Sequence, residues 1–149
     1  MNNKRHGQKA ETALRDIHNA EGYLCIRSAA SKLVDLVCVD PRGLVWLLEV
    51  KATTDKAVYM SRTAYQREQH AGMKEKMYHY GSLEIRFRYV VRFGDGHYEV
   101  FSPLDEIMRE GEGKPLEDVL PLRASPNIPP IVPREDDVQP DGEPRDPSC

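Results

Sequence analysis

Apolar and polar positions alternate along the chain with two distinct periods. Between Gly7 and Glu21, Ala10, Ala13, Leu14 and Ile17 recur at helical spacing, with Lys9, Arg15 and Asp16 on other faces. Gly22 suits the end of that helix, because it takes a left-handed conformation at low steric cost. Tyr23–Arg27 then reads as a strand, followed by a loop of small residues, Ser28–Ser31. Val34–Val39 and Leu44–Lys51 are nearly continuous apolar runs joined by the turn Asp40-Pro41-Arg42-Gly43. Runs of that kind predict strands covered on both faces. Ala52–Met60 reads as a loop.

A second helix is predicted from Thr63 to Tyr80, opened by Thr63 and Gln66 at capping-box spacing. Its apolar face would hold Met73, Met77 and Tyr80. Glu84–Phe93 and His97–Ser102 form a further hairpin across Gly94-Asp95-Gly96. Ser102-Pro103 then opens a short helix, with proline at its first position. The expected architecture is α/β, a central mixed β-sheet flanked by helices.

Composition divides the chain in two. Residues 1–123 fit one domain with a sizeable core, whereas 124–149 form a Pro-rich acidic tail expected to be disordered. Charge follows the same boundary. Of 21 Lys plus Arg and 24 Asp plus Glu, two and six fall in the tail, leaving 19 and 18 before it. The net charge of −3 therefore does not exclude a phosphate-backbone partner. No apolar run reaches the ~20 residues that span a bilayer, and no export signal is visible, so a cytoplasmic protein without a membrane partner is expected. Cys25, Cys38 and Cys149 form no CxxC pair. The first two read as small buried thiols in strands rather than as a disulfide or zinc site.

The chemistry centres on Asp35 and on Glu49-Val50-Lys51 at the end of the next strand. Glu49 and Lys51 project from one face of that strand, and pairing would bring Asp35 to the same end. Burying such charges unpaired is costly. A divalent cation offsets that cost, because Mg2+ (with Mn2+ as substitute) takes carboxylates, carbonyls and phosphate oxygens. Asp35, Glu49 and the Val50 carbonyl could hold it, and Lys51 could stabilise charge on a phosphate in transition. Alone, these residues equally describe an ion pair in a strand, since three polar residues are a weak motif.

Further stretches add specificity. Gly7-Gln8-Lys9-Ala10-Glu11, then Gly22-Tyr23, Arg27 through Leu36, Glu49-Val50-Lys51 and Arg67-Glu68-Gln69 occur in the order seen in one family. Over about the first 100 residues the chain resembles the archaeal-type Holliday junction resolvases of the PD-(D/E)XK nuclease superfamily. The resemblance implies a restriction-endonuclease-like fold and a nuclease domain over 1–123. It also implies a metal-dependent, structure-selective endonuclease that resolves four-way junctions by paired symmetric cuts as a homodimer.

Residue roles follow the same resemblance. Glu11 resembles the family's helix-borne acid completing the metal site, although by spacing alone it is a solvated carboxylate. Asp35 and Glu49 resemble metal ligands, Lys51 the catalytic lysine and Ser31 a loop serine important for cleavage. Arg27 and Lys32 resemble DNA-backbone contacts. Lys4, Arg5 and Lys9 form a basic cluster suited to the same task. Gln69 could be a helix residue near the site, although an exposed polar side chain is the reading preferred for it. Thr12 and Ala30 replace an arginine and a glycine common in the family, which bears on phosphate gripping. The alternatives are another nuclease of the superfamily acting on duplex or single-stranded ends, and a DNA-binding scaffold without turnover.

Overall fold

A computed structural model of the chain describes residues 3–28, 34–94 and 96–121, with side chains from Gln8 onward. The tail assigned to 124–149, and the loop residues Ser31 and Lys32, lie outside the described residues. The elements run α1 (Asn3–Ala20), β1 (Leu24–Arg27), β2 (Leu36–Val39), β3 (Val45–Thr53), β4 (Ala57–Tyr59), α2 (Ala64–Tyr80) and β5 (Ile85–Phe93). β6 (His97–Phe101), β7 (Ile107–Arg109), β8 (Lys114–Pro115) and α3 (Leu116–Val119) complete them. No described helix is long and apolar enough to cross a membrane.

Six strands form a mixed sheet in the order β1-β2-β3-β5-β6-β8, while β4 and β7 pair separately. The pairs are antiparallel except β3 with β5, which are parallel. Parallel neighbours need a crossover rather than a hairpin, and α2 lies in it. The expected α/β architecture with a central mixed sheet is therefore present.

The two apolar parities of β3 separate two cores. Trp46, Leu48 and Val50 pack with Ala10 and Leu14 of α1 and with Leu116 and Leu120. Leu47 packs on the opposite face with Met73 of α2 and with Phe87, Tyr89 and Val91 of β5. Continuous apolar runs are thus explained by burial on both sides of the sheet.

Two buried carboxylates hold turns together. Asp40 accepts from Arg42 N (2.7 Å), Leu44 N (3.1 Å) and Trp46 Nε1 (3.1 Å), and pairs with the Arg42 guanidinium at 2.9 Å. Glu99 of β6 accepts from Gly111 N (2.9 Å) and Gly113 N (2.9 Å) and lies 2.9 Å from His97 Nε2. Gly113 has no room for a side chain, since a Cβ there would sit 2.7 Å from the Phe101 ring.

Several expectations are corrected. Helix α1 starts at Asn3, not Gly7, and buries His18 in place of Ile17, which is 46% exposed. The segment 52–60 is not a loop: β3 continues to Thr53 and β4 follows, paired with β7. Ser102–Asp105 closes as a turn, with Ser102 N bonded to Asp105 Oδ2 (3.1 Å) and Asp105 N to Ser102 O (3.1 Å), instead of opening a helix. The short helix is α3. In α2 the buried positions are His70 and Met73, with Met77 partly covered, while Tyr80 is 64% exposed.

Cys25 and Cys38, expected as separate thiols, are joined as a disulfide. They are direct register partners of β1 and β2, with Cα atoms 4.1 Å apart. Antiparallel positions at that spacing bring Cβ atoms close enough to bond.

Candidate active site

The register of the β2–β3 hairpin brings the acids together. Leu36 pairs with Leu48, and one residue earlier Asp35 N donates to Leu48 O at 3.1 Å. The Asp35 side chain then turns toward β3, where its Oδ2 accepts from Val50 N at 2.8 Å. Glu49 lies between Leu48 and Val50 and shares its parity with Leu47 and Lys51. It therefore faces the α2 side of the sheet. The Glu49 side chain faces the Asp35 carboxylate across the hairpin.

Burial and the neighbouring Asp35 carboxylate push Glu49 up to about 8, against an opposing pull from Lys51 and Lys76. Lys51 is lowered by burial, which outweighs the attraction of Glu49 and Asp35. Its ammonium donates to Gln69 Oε1 on α2. Gln69 is half-buried and in contact with the site, not the exposed side chain expected. Sequence spacing relative to the capping box fixes the helix but not its rotation against the sheet.

Glu11 approaches from α1. Its Oε2 lies 3.2 Å from Arg27 Nε, and its side chain is 14% exposed, so it is not a solvated helix carboxylate. Burial is the first cause of its raised pKa and Asp35 the second, while Arg27 works against both. Asp35 is thus the common neighbour, felt by Glu11, Glu49 and Lys51 alike. Lys9 is exposed two residues before Glu11 on α1, and a shallow groove runs past it, lined by Gln8, Thr12, Ala13, Asp16 and Arg27. The side chains of Lys4 and Arg5 lie outside the described set.

Among the described residues, no three His, Cys, Asp or Glu side chains close into a ready metal cage. Glu11 is turned to Arg27, and Asp35 is engaged by Val50 N. The donor set nevertheless suits a hard divalent cation. Two half-buried carboxyls face each other beside a lysine, and a divalent cation held there would offset their mutual repulsion. Tyr89 beside Glu49, and His70 bonded to Tyr89, were not foreseen. Tyr89 is the register partner of Glu49, and its pKa is raised by burial and by that carboxylate.

Residues 2–114 match the family model described as archaeal Holliday junction resolvase (Hjc). A search of curated protein sequences finds no match. Among solved structures, Hjc of Archaeoglobus fulgidus, a Holliday junction resolvase from an archaeal hyperthermophile, superposes with a TM-score of 0.60 at 16% identity. The match covers 77% of this chain and 95% of that one, and shows that the fold is shared.

Proposed function

This chain belongs to the archaeal Holliday junction resolvase family, a family of nucleases, and from that premise we propose that Glu11, Asp35, Glu49 and Lys51 form the centre that cuts four-way DNA junctions. The observation that carries this reading is the convergence of the Asp35 and Glu49 carboxyls at the open end of the hairpin, beside a desolvated Lys51. Carboxyls that structure alone required would be satisfied by donors, as Asp40 is.

Asp35, Glu49 and the Val50 carbonyl would hold a divalent cation, with Glu11 as a further carboxylate. Mg2+, with Mn2+ as substitute, would supply Lewis acidity at the scissile phosphate when bound. Lys51, held by Gln69, would place its ammonium where negative charge accumulates in the transition state. Ser31 would act at the same centre from the loop before Asp35. Arg27 would contribute a guanidinium to the approaching phosphate while limiting repulsion between Glu11 and Asp35. Lys9, Lys32, Lys4 and Arg5 would grip the backbone without reading sequence, so affinity would fall steeply with salt.

Resolution needs two matched cuts, which a homodimer supplies by its two-fold axis. DNA as substrate places the reaction in the cytoplasm. The test compares cleavage of a synthetic four-way junction with linear duplex, flap and single strand in Mg2+. Paired cuts in opposing strands of the junction are expected. A preference for any linear form would overturn the substrate assignment.

A further inference from the structure

We propose that His70 and Tyr89 are positioning residues that lock the register of α2 against the sheet, so that Gln69 meets Lys51. The proposal rests on the reading of Glu49 and Lys51 as the cutting centre. Tyr89 is paired directly with Glu49 in the β3–β5 ladder, and its hydroxyl lies 3.0 Å from His70 Nδ1. The two rings stack at 5.9 Å and 23°. Both side chains are buried, among Met73, Phe87 and Val91. His70 follows Gln69, whose Oε1 accepts from the Lys51 ammonium.

The other α2 side chains in this core are Met73 and Met77. Thioethers are unbranched and adaptable, and they pack without directional preference. Successive helix positions differ by about 100°. A small rotation or slide of α2 would therefore keep the methionines covered yet carry Gln69 off Lys51. The His70–Tyr89 bond is the directional contact that opposes such a slip. Its polarity is otherwise unrewarded, because His70 Nε2 is buried with no hydrogen-bond partner among the described residues. A core that keeps an imperfectly satisfied polar group beside a reaction centre follows the pattern of local rules broken for function.

Single-turnover cleavage, junction affinity and thermal stability of the full-length protein test this together. Tyr89→Phe and His70→Leu should each slow cleavage by ~10-fold, with junction Kd held within about twofold. His70→Leu removes the unsatisfied nitrogen but strands the Tyr89 hydroxyl, so its cleavage rate is read at a temperature where it is fully folded. His70→Gln, whose amide still reaches the phenol, should restore the rate to within ~3-fold of the original. In a cycle with Gln69→Ala, the double variant should be no slower than Gln69→Ala alone.

Losses that multiply in that cycle, or rates that follow Tm across all variants, would overturn the proposal. Should His70→Leu fail to fold, Tyr89→Phe in the same cycle decides. Unmodified protein that cuts a linear duplex but no junction would refute the substrate reading alone, and the cycle could then be run on that duplex.

Discussion

The β2–β3 hairpin carries acids at both ends, and the two ends are built on opposite principles. At the turn, Asp40 is surrounded by donors: two backbone N–H groups, an indole N–H and a guanidinium. At the open end, Asp35 has one backbone donor among the described residues, and Glu49 faces the Asp35 carboxyl. Glu99 belongs with Asp40, tied to Gly111 and Gly113. A carboxylate saturated by protein donors has no capacity left for a ligand. One held against other carboxyls stores unfavourable charge that a cation or phosphate environment relieves. Burial alone does not separate structural acids from reactive ones; the identity of the neighbours does.

Exchanging acids for neutral isosteres at the two ends would break this comparison most sharply. Asp35→Asn or Glu49→Gln should reduce junction cleavage by at least ~10³-fold and leave junction binding within a few fold. Their Tm should hold or rise, because carboxyl–carboxyl repulsion is removed. Binding lost together with activity would assign these acids a structural role. Asp40→Ala should do the reverse, costing about 2–4 kcal/mol in denaturant melts by stranding buried donors, while folded protein retains its cleavage rate. A catalytic defect in Asp40→Ala at full folding would erase the distinction.

Smaller effects sharpen it further. Arg27→Ala should slow cleavage by ~10-fold and increase the Mg2+ needed for half-maximal rate, since Glu11 loses the cation that offsets its repulsion with Asp35. An unchanged Mg2+ dependence would separate Glu11 from the centre.

The mildest test is thermal stability against pH in metal-free buffer. The folded-state pKa of Glu49, about 8, lies above its ordinary 4.5, so the folded state binds the extra proton between those values. Stability should therefore fall as pH rises through that window. Glu49→Gln should flatten the slope, and added Mg2+ should raise Tm most at its alkaline end. Identical pH profiles for the two proteins would show that Glu49 is not strained.

Strong local signals carried most of the fold into the sequence. The Thr63–Gln66 capping box is present as spaced, with Gln66 N donating to Thr63 Oγ1 and Thr63 N to Gln66 Oε1, each at 3.1 Å. Asp40-Pro41-Arg42-Gly43 turns where its chemistry requires. Features set by tertiary partners were less legible. β4 and β7 are three residues each, too short for a period, and exist because they pair with one another. Ser102-Pro103 has the composition of a helix start, but Asp105 turns back on Ser102 before a helix can propagate.

The site divided likewise. Asp35, Glu49 and Lys51 stood out as charges within apolar strands, and Glu11 entered through family resemblance. Gln69 looked like any polar helix residue until the packing of α2 turned it inward. The Cys25–Cys38 link depended on strand register, which a sequence separation of 13 does not specify.

The parallel pairing of β3 with β5 has a consequence for how the enzyme comes into being. Glu49 and Lys51 leave the ribosome on a strand whose second neighbour is not yet made, because Val45 must wait for Ile85. Closing that long-range ladder is the slow kind of step in folding, while the β2–β3 hairpin forms locally and early. Nascent or truncated chains thus carry these side chains without the helix and strand that fix their surroundings, so the candidate centre is assembled only when the sheet is complete.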